Sequence, residues 1–486
     1  MIVSTLVAVA ALLLPTTVHA DPAPAPPIPP LPTDLLSESF TGTPAVKQPI
    51  AHPTIPSHPY LSANGTSSMH DDAYASDAYT VSGPLGRDLQ VRSASYGVSE
   101  CATMGFDAGH RIVGLCGGAQ GFTMRLIDPT TLAQIASLDM PARDLTSGAN
   151  PLSDLCGGTY FYLDRHHHAY VLTTGNQLWE VTIGATALSH TKTYAPTIPD
   201  GDCMIATMPD WKGRIFFATK GGRVGTIDPA TGASKLRTFP GEAIFNSMAT
   251  DETGAVYIVT DHRLLALAAD RSGMPQVRWA APYDRGTRQK PGQLSQGSGT
   301  TPTLIGKDLV AITDNAEPRM NVLFYKRDGN PKNRLICKAP VFGAGASATE
   351  NSLVAAGRSV IVENNYGYEG PQSTIGGRTT SPGVARVVLD GTRCRVAWTS
   401  PVTAPTSVPK VSLGNGLVYV YAKKASTLLD DSWYFTAIDV RTGRTQWQQR
   451  TGNGIQWNNH YASIYLGPDG AAYMPTMAGL VRFADG

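Results

Sequence analysis

A repeated strand–turn–strand unit constrains this chain more than any other feature. Residues 203–219, 246–260 and 461–476 share one plan: a short apolar strand, a turn containing Asp and Gly, and a second apolar strand. First-strand starts fall near residues 101, 156, 203, 246, 300, 350, 408 and 461, which gives eight units spaced roughly 43 to 58 residues apart. Two further strands fit within each unit. That period is the pattern of β-propeller blades. One such unit cannot bury its own apolar strands, so neighbours must stack. The expected fold is all-β: an eight-bladed β-propeller of four-stranded antiparallel blades, with seven blades as the alternative. The last unit, residues 461–484, has room for only three strands. Residues 89–96 supply a fourth, closing the ring with N- and C-terminal strands and removing the open sheet edge.

Composition agrees with many short strands: 42% of residues are hydrophobic and 16% charged, with 49 Gly and 36 Pro. A net charge of +1 leaves no electrostatic footprint for nucleic acid or an anionic membrane. Residues 1–20 read as a signal peptide. Their apolar run is too short for a membrane span and ends in Val18-His19-Ala20, small residues at the usual cleavage positions. The destination expected is the extracellular space or the cell envelope. Residues 21–78 read as a Pro-rich extended segment, opening in polyproline II form, and 79–486 as a single propeller domain. No other stretch has the run of about 18 apolar residues that a membrane helix needs. A monomer is expected.

Six cysteines in a secreted chain point to three disulfides. Cys101 and Cys116 lie equally far from a hairpin turn at residues 107–110, so they face each other across it. Cys156 and Cys203 hold equivalent positions in successive units, as Cys337 and Cys394 approximately do, and these are the other expected pairs.

In a propeller, the loops entering first strands and those joining second to third strands surround the central funnel. Rigid strands beneath such loops make them the place for function. The first set contributes Glu100, Asp154, Asp202, Asn246, Glu350, Lys410 and His460. The second contributes Gln120, Asn176, Lys220, Asp261-His262, Asp314-Asn315, Glu363-Asn364-Asn365 and Lys423-Lys424. A polar, partly acidic funnel mouth follows. Asp314, Asn315, Glu350, Asn351, Glu363 and Asn364 are the hard oxygen donors that calcium takes in sets of six to eight. Equally, Asp and Asn cap turns. His460, His262, Arg319 and Tyr366 are the groups able to move a proton or hold an anion beside those carboxylates. His166-His167-His168 diverge on a turn of the opposite face and read as surface. No Gly-x-Ser-x-Gly elbow, P-loop or His-Glu-x-x-His occurs.

Ala437, Asp439, Gly443 and Trp447 form the pattern Ala-x-Asp-x-x-x-Gly-x-x-x-Trp. It resembles the tryptophan-docking motif of the quinoprotein alcohol dehydrogenase-like (PQQ-repeat) propellers. Weaker copies keep Asp228 and Gly232 without the tryptophan, Asp270 with Trp279, Asp390 with Trp398, and Asp128 alone. The resemblance covers about residues 90–486 and implies an eight-bladed ring in which the tryptophan packs between blades. That superfamily includes PQQ- and calcium-dependent dehydrogenases as well as cofactor-free binding propellers. The vicinal cysteines and cytochrome module of many of its dehydrogenases are missing here, and Trp457 alone lies near the mouth. Three functions follow: a secreted propeller binding a small molecule, glycan or protein at its funnel; a calcium-assisted hydrolase, lyase or lactonase; and a PQQ-dependent dehydrogenase.

Overall fold

The computed structural model describes residues 23–30, 39–118, 121–143, 154–156, 160–329, 334–427 and 430–486. Residues 1–20, expected as a signal peptide, and Gln120 lie outside them. Eight antiparallel sheets surround a central shaft. The inner strands of blades 1 to 8 are Glu100–Phe106, Phe161–Leu163, Met204–Pro209, Ala249–Thr250, Thr303–Ile305, Val354–Ala355, Lys410–Ser412 and Tyr465–Leu466. In blades 1 to 6, three further strands follow outward in chain order. Burial falls in the same direction. In blade 3 the second strand, Ile215–Thr219, is buried throughout, whereas the outer strand Ser234–Thr238 alternates half-buried and exposed side chains. Stacked blades exclude water from their middles, and only the rims are wet.

Blade 8 has three strands of its own, and Gln90–Ser95 pairs with Gly479–Ala484 as its outer strand. The ring is thus closed by the two ends of the propeller sequence. Asp side chains shape the hairpins. In blade 7, Asp439 Oδ1 accepts the Thr442 amide at 2.8 Å and hydroxyl at 2.9 Å, and Gly443 N–H returns to the Asp439 carbonyl. Gly443 has φ of 72°, and a Cβ there would lie 2.6 Å from the ring of Trp398 in blade 6. Trp398 Nε1 donates to the Val440 carbonyl of that same turn at 2.9 Å. Trp279 of blade 4 likewise donates to the Arg327 carbonyl of blade 5 at 3.2 Å. A tryptophan on one blade is therefore docked on the outer turn of the next. Disulfides join Cys101 to Cys116, Cys156 to Cys203 and Cys337 to Cys394. The first crosses two strands of blade 1, and the third ties the outer strands of blades 5 and 6.

Residues 39–81 do not hang from the ring. Phe40–Gly42 adds a strand outside Thr445–Asn453 of blade 7, stacking Phe40 on Trp447, and Ala78–Tyr79 pairs in parallel with the inner strand of the same blade. Between them, the chain enters the shaft. The carbonyls of Thr66 and Ser67 accept amides from Phe106 and Leu163, and those of Ala73, Tyr74, Ser76 and Asp77 accept amides from Thr250, Leu304, Ala355 and Val411. Each inner strand is a sheet edge with unpaired backbone groups facing inward. The segment satisfies six of the eight and plugs the shaft. Its turns are tight enough to hold Asp71, Ala75 and Asp77 at positive φ.

An ionic knot fixes the plug. Lys410 Nζ, on the inner strand of blade 7, is fully buried against Asp77 and donates to the Met69 carbonyl at 2.8 Å. Burial would raise the Asp77 carboxyl, but Lys410 and His70 outweigh it and hold the group below its ordinary range. Asp72 has no cation: burial pushes it up to about 7 despite bonds from Ser76 and the Tyr74 amide.

Candidate functional site

On the funnel side of the plug lies a cavity of about 400 Å³. Met69 and His70 of the plug line it together with residues that enter inner strands: Glu100, Asp154, Asn246, Thr301, Glu350 and His460. It opens into a wider vestibule of about 690 Å³. Leu155, Phe245, Leu294, His460 and Tyr461 belong to both and form the neck. The vestibule is walled by residues 288–294, from the long connection between blades 4 and 5, and by residues 368–372, which run into the short 3-10 turn Pro371–Thr374.

The neck and wall are more apolar than the polar loop residues suggest, because Leu155, Phe245, Leu294, Val408 and Met477 stand between them. Two carboxyl groups sit within this apolar lining. Glu350 packs its carboxyl against Gly299, where a Cβ would lie 2.7 Å from Oε2. Neither Glu350 oxygen meets a donor at hydrogen-bond geometry. Burial pushes this carboxyl up to about 8, with the Leu294 backbone amide pulling the other way. Glu100 is raised well above its ordinary range by the same burial, and its Oε1 is also without a partner. At neutral pH Glu350 is therefore largely an uncharged acid. Tyr461 and Tyr160 are raised as well, first by burial and then by the charge of Glu350.

The expected site residues divide. His460 reaches the neck, held at φ of 28°, with Nδ1 3.0 Å from the Tyr368 hydroxyl. Glu350 and Asn351 line the cavity. Glu363 lies behind Asn351: its carboxylate accepts from Asn351, from Asn365 at 2.9 Å and from Ser407 at 3.1 Å, while burial raises it to about 8. The remaining members serve the loops. Asp314 accepts the Asn321 amide at 2.6 Å and its side chain at 2.8 Å, and Asn315 donates to the Arg285 and Arg288 carbonyls. Asn364 donates to the Ala346 and Pro382 carbonyls. Among the described residues, no three His, Cys, Asp or Glu side chains converge as a metal set. His262 lies between Asp261 Oδ1 at 2.9 Å and Arg285 Nη1 at 3.0 Å, outside the cavity lining. Arg319 is exposed, and Tyr366 is half-buried beside Asn364. Lys410, expected at the mouth, is inside the shaft instead, because the plug supplies the carboxylate it needs.

His70, Thr301 and Ser352 are functional candidates that sequence reasoning missed. His70 Nδ1 faces both Asp77 oxygens at 3.3 Å, and its Nε2 lies 3.2 Å from Thr301 Oγ1. Ser352 Oγ donates to Asp77 Oδ2 at 2.5 Å. All three line the cavity floor. The one signal in the sequence is the acid-rich run Met69-His70-Asp71-Asp72 within an otherwise uncharged stretch.

No protein-family model matches the chain. An uncharacterized protein of Archaeoglobus fulgidus is 26% identical over 325 residues, 60% of this chain, and the match spans 62% of that relative's length. Similar solved structures are BamB from Moraxella catarrhalis and a streptogramin B lyase. The first is 11% identical with a TM-score of 0.41, covering 65% of this chain and 93% of that one. The second is 8% identical with a TM-score of 0.39, covering 81% and 97%. A functionally unknown protein from Desulfotomaculum acetoxidans is 10% identical with a TM-score of 0.36, covering 68% and 91%. These likenesses carry no functional argument.

Proposed function

We propose that this eight-bladed propeller acts outside the cytoplasm and binds a small, uncharged, mostly apolar molecule bearing a carbonyl or hydroxyl group in its funnel cavity. The observation that carries the reading is Glu350: a buried carboxyl in an apolar wall, with no side-chain donor on either oxygen and only the Leu294 backbone amide favouring its charge. An orphaned buried polar group costs roughly 1–3 kcal/mol, which a ligand that satisfies it recovers. Held protonated, Glu350 donates to a carbonyl and accepts from a hydroxyl. Three disulfides support an extracellular or envelope setting.

PQQ, which the family resemblance implies, does not fit. It is a planar tricarboxylate whose carboxylates need cations. Glu100, Asp154 and Glu350 line the cavity with Arg143, and no tryptophan is among the described lining residues; Trp457 is buried elsewhere. A calcium set does not fit either, since only Glu350 and Asn351 of the six expected ligands share the cavity.

δ-Decalactone, titrated by ligand-observed NMR, tests the reading. Binding is expected at neutral pH and should weaken as pH rises above about 8, because an ionised Glu350 repels the carbonyl it formerly bonded. Glu350→Gln should bind without that pH dependence. Decanoate, of similar size but anionic, should bind at least about tenfold more weakly, because burying a charge in an apolar wall is costly. Equal binding of the two, or indifference to widening the neck by Phe245→Ala, sinks the reading.

A further inference from the structure

We propose that Thr301, His70 and Asp77 form a nucleophile–base–carboxylate relay at the cavity floor that acts on an ester or lactone carbonyl. The proposal rests on the binding reading, since the substrate occupies the same cavity.

The three residues come from two distant parts of the chain. Thr301 precedes the inner strand of blade 5, while His70 and Asp77 lie on the plug. His70 Nδ1 lies 3.3 Å from both Asp77 oxygens and Nε2 3.2 Å from Thr301 Oγ1, so the tautomer that donates to Asp77 leaves Nε2 free to accept from Thr301. That order is the one in which a hydroxyl becomes a nucleophile: base beside the hydroxyl, carboxylate behind the base. Lys410 keeps Asp77 ionised, and Ser352 Oγ braces its other oxygen. Asp77 is therefore a positioning residue. Tyr160 stacks on His70, with ring centroids 6.2 Å apart and planes at 28°, holding the imidazole flat on the floor. Glu350 packs on Gly299, two residues before the nucleophile, and lines the same cavity as Thr301.

The chemistry balances without a metal or redox partner. The Thr301 hydroxyl proton passes to His70 Nε2 as Oγ1 bonds to the carbonyl carbon. The tetrahedral oxyanion collapses, the bond to the leaving alkoxide breaks, and His70 returns the proton to that oxygen. Water, deprotonated by His70, then attacks the acyl-threonine. The carbon–Oγ1 bond breaks and Oγ1 recovers its proton. The sum is ester plus water giving acid plus alcohol. A network that merely anchored the plug would acquire no acyl group.

The test is incubation of the full secreted protein with p-nitrophenyl hexanoate, followed by intact mass measurement and peptide mapping. A hexanoyl adduct on Thr301 is expected, absent in Thr301→Val and present in Thr301→Ser. His70→Asn should slow acylation by at least about 100-fold. Because His70→Asn touches the plug, its fold is checked by circular dichroism, and the Val/Ser contrast stands independently. Wild-type protein that binds δ-decalactone yet never acylates Thr301 overturns the relay and leaves the binding reading intact. Failure to bind the lactone at all overturns that reading first.

Discussion

Glu350 and Glu363 show how a single buried carboxyl shapes the pH response of the molecule. Each is raised from the ordinary Glu value of 4.5 to about 8. The folded state therefore holds more protons than the unfolded chain between those values. Their contribution is complete below about 4.5 and is lost as pH rises through about 8. Stability to urea should fall between pH 5 and pH 9 by on the order of a few kcal/mol for each group. Glu350→Gln should flatten part of that fall, the rest belonging to Glu363 and the other raised carboxyls such as Asp72, and an unchanged slope refutes the assignment. Glu350, Asn351 and His460 were legible in the sequence because they stand just before inner strands, where the repeat fixes their direction. His70 was not. It sits in a segment without periodicity, and its partners are about 230 and 280 residues away in Thr301 and Ser352.

At the scale of elements, the blades were legible for a physical reason. Asp107, Asp164, Asp210 and Asp251 all bond the amides two and four residues ahead, so one hairpin chemistry recurs and the eye can count it. The same regularity makes the disulfide pairs readable, since cysteines at equivalent places in adjoining units must be neighbours. Removing Cys337–Cys394, which closes a 57-residue separation between two blades, should cost about 4 kcal/mol. Removing Cys101–Cys116, with a separation of 15, should cost about 3. Guanidinium unfolding of the two Cys→Ser pairs checks that order. The plug makes a sharper prediction. Lys410→Met strands the buried Asp77 charge and should destabilise by about 3–5 kcal/mol, while Lys410→Met with Asp77→Asn should recover most of the loss. A double variant no better than the single one would show that the pair is not the plug's anchor.

At the scale of the whole molecule, the ring is a frame around a thread. The amides that the plug receives from blades 1, 2, 4, 5, 6 and 7 would otherwise face an empty shaft. A variant beginning at residue 56 should fold and melt cooperatively. One beginning at residue 81 keeps all the strands of the eight blades apart from the two added ones, Phe40–Gly42 and Ala78–Tyr79, yet should aggregate or show accelerated amide exchange in the inner strands. Comparable protection in both variants would mean that the frame is self-sufficient. Nothing in the local pattern of residues 39–81 announces this role, since a filler is defined by the hole that other residues make.

The closing strand Gln90–Ser95 waits for Gly479–Ala484, a partner made nearly 400 residues later. The plug precedes both in the sequence, and it is encircled by blades that do not yet exist when it is made. Closure therefore joins an early strand to the last one, around a thread that is made before either. The ring of such a chain cannot close until its last strand has emerged. Contacts of this sequence separation make the search slow, and the last seam to form is the first place where the circle can be opened.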